Sequence, residues 1–261
     1  MQRVIGIDEV HAFDYEILKE IKRICENNHI PYFLAFGTAL GAMRHEGFIP
    51  WDVDADVIMP ISFFQKFEEA CKKELNERYV LHTAAESTHP EYFMRIGLKY
   101  HPETEVYVDI FMLIGAPEDD EERINLYSKV MKLRRWRDLM FLDPQKGKNF
   151  IKKLLRLFAR TGSRLIPVRV WNKMFFEVCN KTPYSIAKYV YCPCGAYDAK
   201  KPRWFDKCMY EPGRIVKFED DGFIVPNRVE EYLNEYYKDY KKYPPEYVRN
   251  NGLNFKTIIN E

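Results

Sequence analysis

The stretch from Phe33 to Pro60, FLAFGTALGAMRHEGFIPWDVDADVIMP, constrains this chain more than any other. It ends in three alternating acids, Asp52, Asp54 and Asp56, wedged between Ile49-Pro50-Trp51 and Val57-Ile58-Met59. Apolar residues on both sides argue against a loop standing in water, which would be the ordinary reading of an isolated D-x-D. Successive strand side chains point to opposite faces, so Asp54 and Asp56 share one face with Asp52 behind them at the strand's mouth. Upstream, Gly37-Thr38 follows an apolar run and can open a helix whose N–H groups receive phosphate. Paired carboxylates beside such a turn suit a divalent cation and a phosphorylated ligand.

The second half of the pattern lies further along, in EVYVDIFML (105–113). This apolar run is interrupted by Asp109, and a lone carboxylate in mid-strand is costly unless it is paired or bound to metal. Asp109 is therefore the expected third acid of a metal site with Asp54 and Asp56, the alternative being a satisfied structural aspartate. The elements around it read as alternating helices and strands. Asp14 caps a helix with Ile17, Leu18, Ile21, Ile24 and Cys25 inward, ending near Asn27-Asn28. Tyr32–Phe36 is a buried strand, Thr38–Arg44 a short helix, and Asp54–Met59 the acidic strand. Ser62 caps a helix through about Leu75. Strands are expected at 79–83, 92–100 and 105–113, helices at 118–142, 149–160 and 168–180, and short strands at 187–191, 214–218 and 223–225. A last helix starts after Pro226 and stops before Pro244-Pro245.

GTALGAMRHEGFIPWDVDAD resembles the signature of the LicD family, G-T-x-L-G-x-x-R-x-x-G-x-I-P-W-D-x-D-x-D. V-D-I-F at 108–111 resembles the family's third-acid motif, and FIVPNRVEEYLNEYYKDY its closing segment, with Lys238 in place of the usual Gly. Ala55 is smaller than usual between the acids, and Ile114 stands where an acid often follows. The family holds bacterial phosphocholine transferases and fukutin-related ribitol-phosphate transferases. The resemblance implies a nucleotidyltransferase-like α+β fold, a mixed sheet flanked by helices. It is strong over about 31–115, moderate over 184–247 and weak between. With no linker or repeat in 261 residues, one domain is expected: core 31–115, helical insertion about 118–181, C-terminal part 184–261.

What the resemblance implies chemically is transfer of a phospho-alcohol from a CDP-linked donor to a glycan hydroxyl, lipid-linked or free, with release of CMP. Asp54, Asp56 and Asp109 would hold Mg²⁺ or Mn²⁺. Gly37, Thr38, Arg44, Arg95 and Lys99 are the expected phosphate-binding groups, and Asp52 would orient the loop or a metal-bound water. The same carboxylates suit a nucleotidyltransferase passing NMP to a small molecule, because positioning decides which phosphorus is attacked. A third reading is a catalytically silent protein that docks other enzymes at the membrane.

Charge sharpens that last point. The chain is +1 overall, but 131–171 holds twelve Lys/Arg against Asp138 and Asp143, a local +10 that leaves −9 elsewhere. Within it, NFIKKLLRLFAR (149–160) places Phe150, Ile151, Leu154, Leu155 and Phe158 on one helical face and Lys152, Lys153, Arg156 and Arg160 largely on the other. That pattern suits contact with an anionic membrane; the alternative is a surface helix packed on the domain. No base-reading motif accompanies the charge, so nucleic acid is not expected. The opening MQRVIGIDEV lacks the features of a secretory signal, and a cytoplasmic location with reduced cysteines is expected. Cys179, Cys192, Cys194 and Cys208 do not fit the usual zinc spacing, and zinc is not expected.

Overall fold

The apolar face of the first helix builds one wall of the core. Val10, Ile17, Leu18, Ile21, Ile24 and Cys25 recur at three- and four-residue steps and are all buried. Each such aliphatic side chain contributes about 1.5–3 kcal/mol by leaving water. The structure is a computed structural model that describes residues 2–86, 91–99, 106–195 and 202–260. The fold is α+β, a mixed sheet with helices around it. It divides into two compact units, one formed by 1–82, 93–113 and 205–261, the other by 83–92 and 114–204.

The first unit begins with β1 (Gln2–Gly6), α1 (Ile7–Asn27), β2 (Phe33–Leu34), α2 (Phe36–His45), β3 (Ala55–Pro60), α3 (Phe64–Glu74), β4 (Tyr79–His82), β5 (Met94–Leu98) and β6 (Tyr107–Ala116). Its sheet runs β2-β3-β6-β5-β4. Strands β3 and β6 are parallel, and the other neighbours are antiparallel. All six residues of β3 are buried, as expected of a strand covered on both faces. α2 packs on β3, and α1 lies beside α3.

The second unit takes the last residues of β6, Ile114–Ala116, followed by α4 (Asp120–Met140), α5 (Phe150–Ser163), α6 (Val168–Cys179) and β7 (Tyr189–Tyr191), which pairs antiparallel with that end of β6. Its core is organised by Arg137 and by Tyr92 stacked on Phe175 at 3.7 Å between centroids, while the exposed Trp136 stacks on the buried Trp171. The chain then returns to the first unit as β8 (Phe205–Asp206), the hairpin β9 (Arg214–Phe218) and β10 (Asp221–Val225), α7 (Val229–Tyr237), α8 (Glu246–Leu253) and β11 (Lys256–Asn260). β11 pairs antiparallel with β1, joining the two ends of the chain. Neither α8 nor this terminal pair was expected from the sequence.

Two expectations are corrected, and one alternative is closed. α1 starts at Ile7 after Gly6, so Asp14 is not a cap but an interior residue on the buried face. α3 starts after a 3₁₀ turn at Ile61–Phe63, with no side-chain cap from Ser62. The apolar face of α5 is not packed down: Phe150, Ile151, Leu155 and Phe158 are each more than 60% exposed. Strand ends expected at Tyr100 and Glu105 lie outside the described residues. Among the described residues no helix is long and apolar enough to cross a membrane.

Candidate active site

The parallel register of β3 and β6 does what the sequence pattern asked of it. Asp56 sits directly opposite Asp109, with Asp54 at the entrance to β3. Asp56 is 9% exposed and Asp109 7%, so two carboxylates face one another across a buried ladder. Burial pushes the Asp56 carboxyl well above the usual range, reinforced by Asp54, Asp109 and Asp52 and offset by Arg95. Asp52 is pushed up to about 7, first by burial and then by Asp54, with which it shares a hydrogen bond.

Positive charge comes from β5. Arg95 is the register partner of Asp109 and grips it with both arms of its fork, Nε to Oδ1 at 2.6 Å and Nη2 to Oδ2 at 3.0 Å. Its guanidinium lies 3.5 Å from the centre of the Tyr107 ring. Arg95, expected to bind phosphate, is engaged by Asp109 in the structure. Lys99, four residues on, lies in the turn just past β5 and is exposed, roughly 13 Å away along the strand direction.

The loop before β3 is held from several directions. Thr38 Oγ1 accepts the Asp56 backbone N–H at 2.7 Å, and the Ala35 N–H donates to the Asp56 carbonyl at 3.0 Å, so the start of α2 is tied to the acidic strand. A Cβ at Gly37 would collide with Asp52 Oδ2; a glycine is needed there for that carboxylate to come close. Phe36, at the start of α2, has φ +42°, a strained value for an aromatic residue. It is held there by its N–H donating to Tyr232 Oη at 3.1 Å and by edge-on packing against Phe111 and Tyr236. His11 Nε2 is 2.6 Å from the Asp52 carbonyl oxygen, and Glu219 Oε1 accepts the Phe48 N–H at 3.0 Å.

Arg44, an expected phosphate-binding group, is turned toward the C-terminal segment. Its Nη1 donates to the carbonyls of Tyr240 and Lys242, its Nε to His45, and its guanidinium packs over Tyr243 and Trp51. Glu46 pairs with Lys217. Trp51 is packed among His45, Tyr243 and Arg249, and Gly252 of α8 lies so close to its backbone that a Cβ would collide with it. These groups anchor the C-terminal segment on the loop.

Asp14 is the functional candidate that sequence reading missed. It is fully buried, neither carboxylate oxygen has a hydrogen-bond partner among the described residues, and Asp54 and Asp109 act on it. The available signal was an acid in the apolar stripe of a helix. A cavity of about 470 Å³ opens on the same helix, lined by Asp8, His11, Tyr15, Phe48, Glu219 and Asp220 rather than by the paired acids. His11 links the two, through its contact with Asp52.

As they stand, no three His, Cys, Asp or Glu side chains among the described residues are grouped to hold a metal ion, and Arg95 engages both oxygens of Asp109. The donor chemistry nonetheless fits a hard divalent cation: oxygen ligands, mutually repelling, buried at Asp14, Asp56 and Asp109, and in the case of Asp14 without a partner among the described residues. Cys179, Cys192 and Cys194 are buried, and burial pushes the thiols of Cys179 and Cys194 up.

The model of the LicD/FKTN/FKRP nucleotidyltransferase domain matches residues 29–155, which include α2, β3 and β6. The lipopolysaccharide cholinephosphotransferase LicD of Haemophilus influenzae is 28% identical over 247 residues, covering 88% of this chain and 89% of that protein. An uncharacterized protein of Rickettsia prowazekii is 30% identical over 87 aligned residues, 26% of this chain and 33% of that one. The matched domain and the near-full-length relative make this chain similar to the LicD family.

Proposed function

We propose that this protein transfers phosphocholine, or a closely similar phospho-alcohol, from a CDP-linked donor to a hydroxyl of a surface glycan or its lipid-linked precursor. The observation that carries the reading is Asp56 facing Asp109 across parallel strands, beside Asp54, in a chain aligned almost end to end with a lipopolysaccharide cholinephosphotransferase. In the reaction the acceptor oxygen bonds to the phosphorus bearing the alcohol, the bond from that phosphorus to the CMP oxygen breaks, and CMP leaves. Asp54, Asp56 and Asp109 would hold Mg²⁺ or Mn²⁺, which when bound neutralises diphosphate charge and acidifies the acceptor hydroxyl. Arg95 keeps Asp109 oriented and adds positive charge. The Thr38 hydroxyl, already accepting from Asp56, has its own hydrogen left to donate toward phosphate.

The cavity beside Asp52 suits the transferred group. Its size is that of a small-ligand pocket, and its aromatic rings and three carboxylates match a quaternary ammonium. α5 suits contact with an anionic membrane, because its exposed apolar face is flanked by Lys152, Lys153, Arg156 and Arg160. Low-salt flotation with anionic vesicles recovers the protein on this reading; equal recovery with neutral vesicles would refute the membrane contact.

The reaction itself is tested by CMP release with Mg²⁺ from a panel of CDP-alcohols and crude lipid-linked glycan, for wild type and Asp56→Ala. Release from one donor, abolished by the substitution, supports the transferase and names its group. No CMP, with pyrophosphate appearing from a nucleoside triphosphate, replaces it by nucleotidyl transfer.

A further inference from the structure

Asp14 lies on the inward face of α1, where Val10, Ile17, Leu18 and Ile21 meet the core. A leucine would fill such a position at no electrostatic cost. Instead a carboxylate is fully buried there with both oxygens unpartnered among the described residues. The Tyr107 backbone amide is what eases the Asp14 charge, against the larger cost of its burial. The charged groups acting on Asp14 are Asp54 and Asp109, both negative, so its neighbours make its burial worse. Tyr107 opens β6 two residues before Asp109, and Asp54 precedes β3, so the groups that act on Asp14 gather at the entrance of the parallel strand pair.

We propose that Asp14 is a further carboxylate of the divalent-cation site, reaching it from α1 and completing the set formed by Asp54, Asp56 and Asp109. This rests on the metal-holding reading of those three residues. A cation supplies what the protein leaves out, a positive partner for an acid that the fold has no use for. Binding then ties α1 to the sheet. Because α1 also carries His11, which touches Asp52 and lines the neighbouring cavity, loading the cation fixes that wall of the cavity as well.

The test uses the full chain without substrates: Mn²⁺ affinity, read by electron paramagnetic resonance of the free ion, and melting temperature with and without Mn²⁺, for wild type, Asp14→Asn and Asp14→Leu. The expected result is wild-type Mn²⁺ binding with a rise in Tm. Both variants should lose affinity by about tenfold or more, while their metal-free Tm is not lowered and that of Asp14→Leu is raised. Unchanged Mn²⁺ affinity in Asp14→Asn, or a variant that fails to fold, would make Asp14 a structural residue and overturn the inference. Absence of Mn²⁺ binding in the wild type would instead remove the metal reading of the whole site.

Discussion

Arg137 in the second unit and Asp14 in the first are both sealed from solvent, at 1% and 0% exposure, and the protein treats them in opposite ways. Arg137 donates to Asn172 Oδ1 and to the Ala84 carbonyl, and its guanidinium lies 4.6 Å from the centre of the Tyr92 ring. Asn172 reaches the same carbonyl, so helices α4 and α6 and the 83–92 segment are knitted around one cation. Asp14 and Asp56 meet mainly other carboxylates. A buried charge with a full set of partners is part of the architecture. A buried charge surrounded by its own sign stores unfavourable energy that folding alone does not relieve, and points to a ligand of opposite charge.

Four substitutions would break or sharpen this contrast. Asp56→Asn should lower CMP release by about 10²–10³-fold, comparable with removing one electrostatic stabiliser from an active site, while Tm stays level or rises. A large fall in Tm would mean that Asp56 holds the fold and would erase the distinction. Arg137→Leu should do the reverse. It orphans Asn172 Oδ1 and should cost about 3 kcal/mol in urea unfolding, with CMP release of the folded fraction retained. Arg95→Lys lies between, because an ammonium cannot reproduce the two-armed grip on Asp109. We expect about a tenfold loss in kcat/KM, about 1.4 kcal/mol, with little change in Tm. An unaffected rate would show that the fork is structural.

The smallest effect concerns His11. Its ring stacks on Phe48 at 4.5 Å between centroids, and burial holds its pKa below the ordinary 6.5. The folded protein therefore keeps the imidazole neutral, and the unfolded chain takes up the proton first as pH falls through 6.5. Stability contributed by His11 is present above that pH and declines below it. Comparing Tm at pH 7.5 and 5.5 should show a shallower decline in His11→Gln than in wild type; identical slopes would show that the ring titrates normally.

How far the site was legible follows the same lines. Asp54, Asp56 and Asp109 were readable because each breaks an apolar run, and a carboxylate in a buried strand needs a reason. Arg95 was readable as a strand residue, but its pairing with Asp109 depends on the β5–β6 register, which no local pattern reports. Asp14 was misread for a related cause. The helix pattern is visible from Ile17 onward, but its extension back to Ile7 is decided by packing, so an acid that looked like a cap is an acid in the core. The apolar face of α5 was legible, and its exposure was not, because periodicity shows that a face exists without showing what covers it.

By itself the sequence determined the alternation that puts Asp54 and Asp56 on one face and the inward stripe of α1. These follow from backbone geometry and short-range sterics. Only the tertiary structure decided that Asp109 would face Asp56, and that His11, Glu219, Tyr232 and the C-terminal segment would clamp a loop up to some two hundred residues away in the chain. Contacts of that reach depend on strand register and on the closing of a common core, which arise when the chain as a whole excludes water.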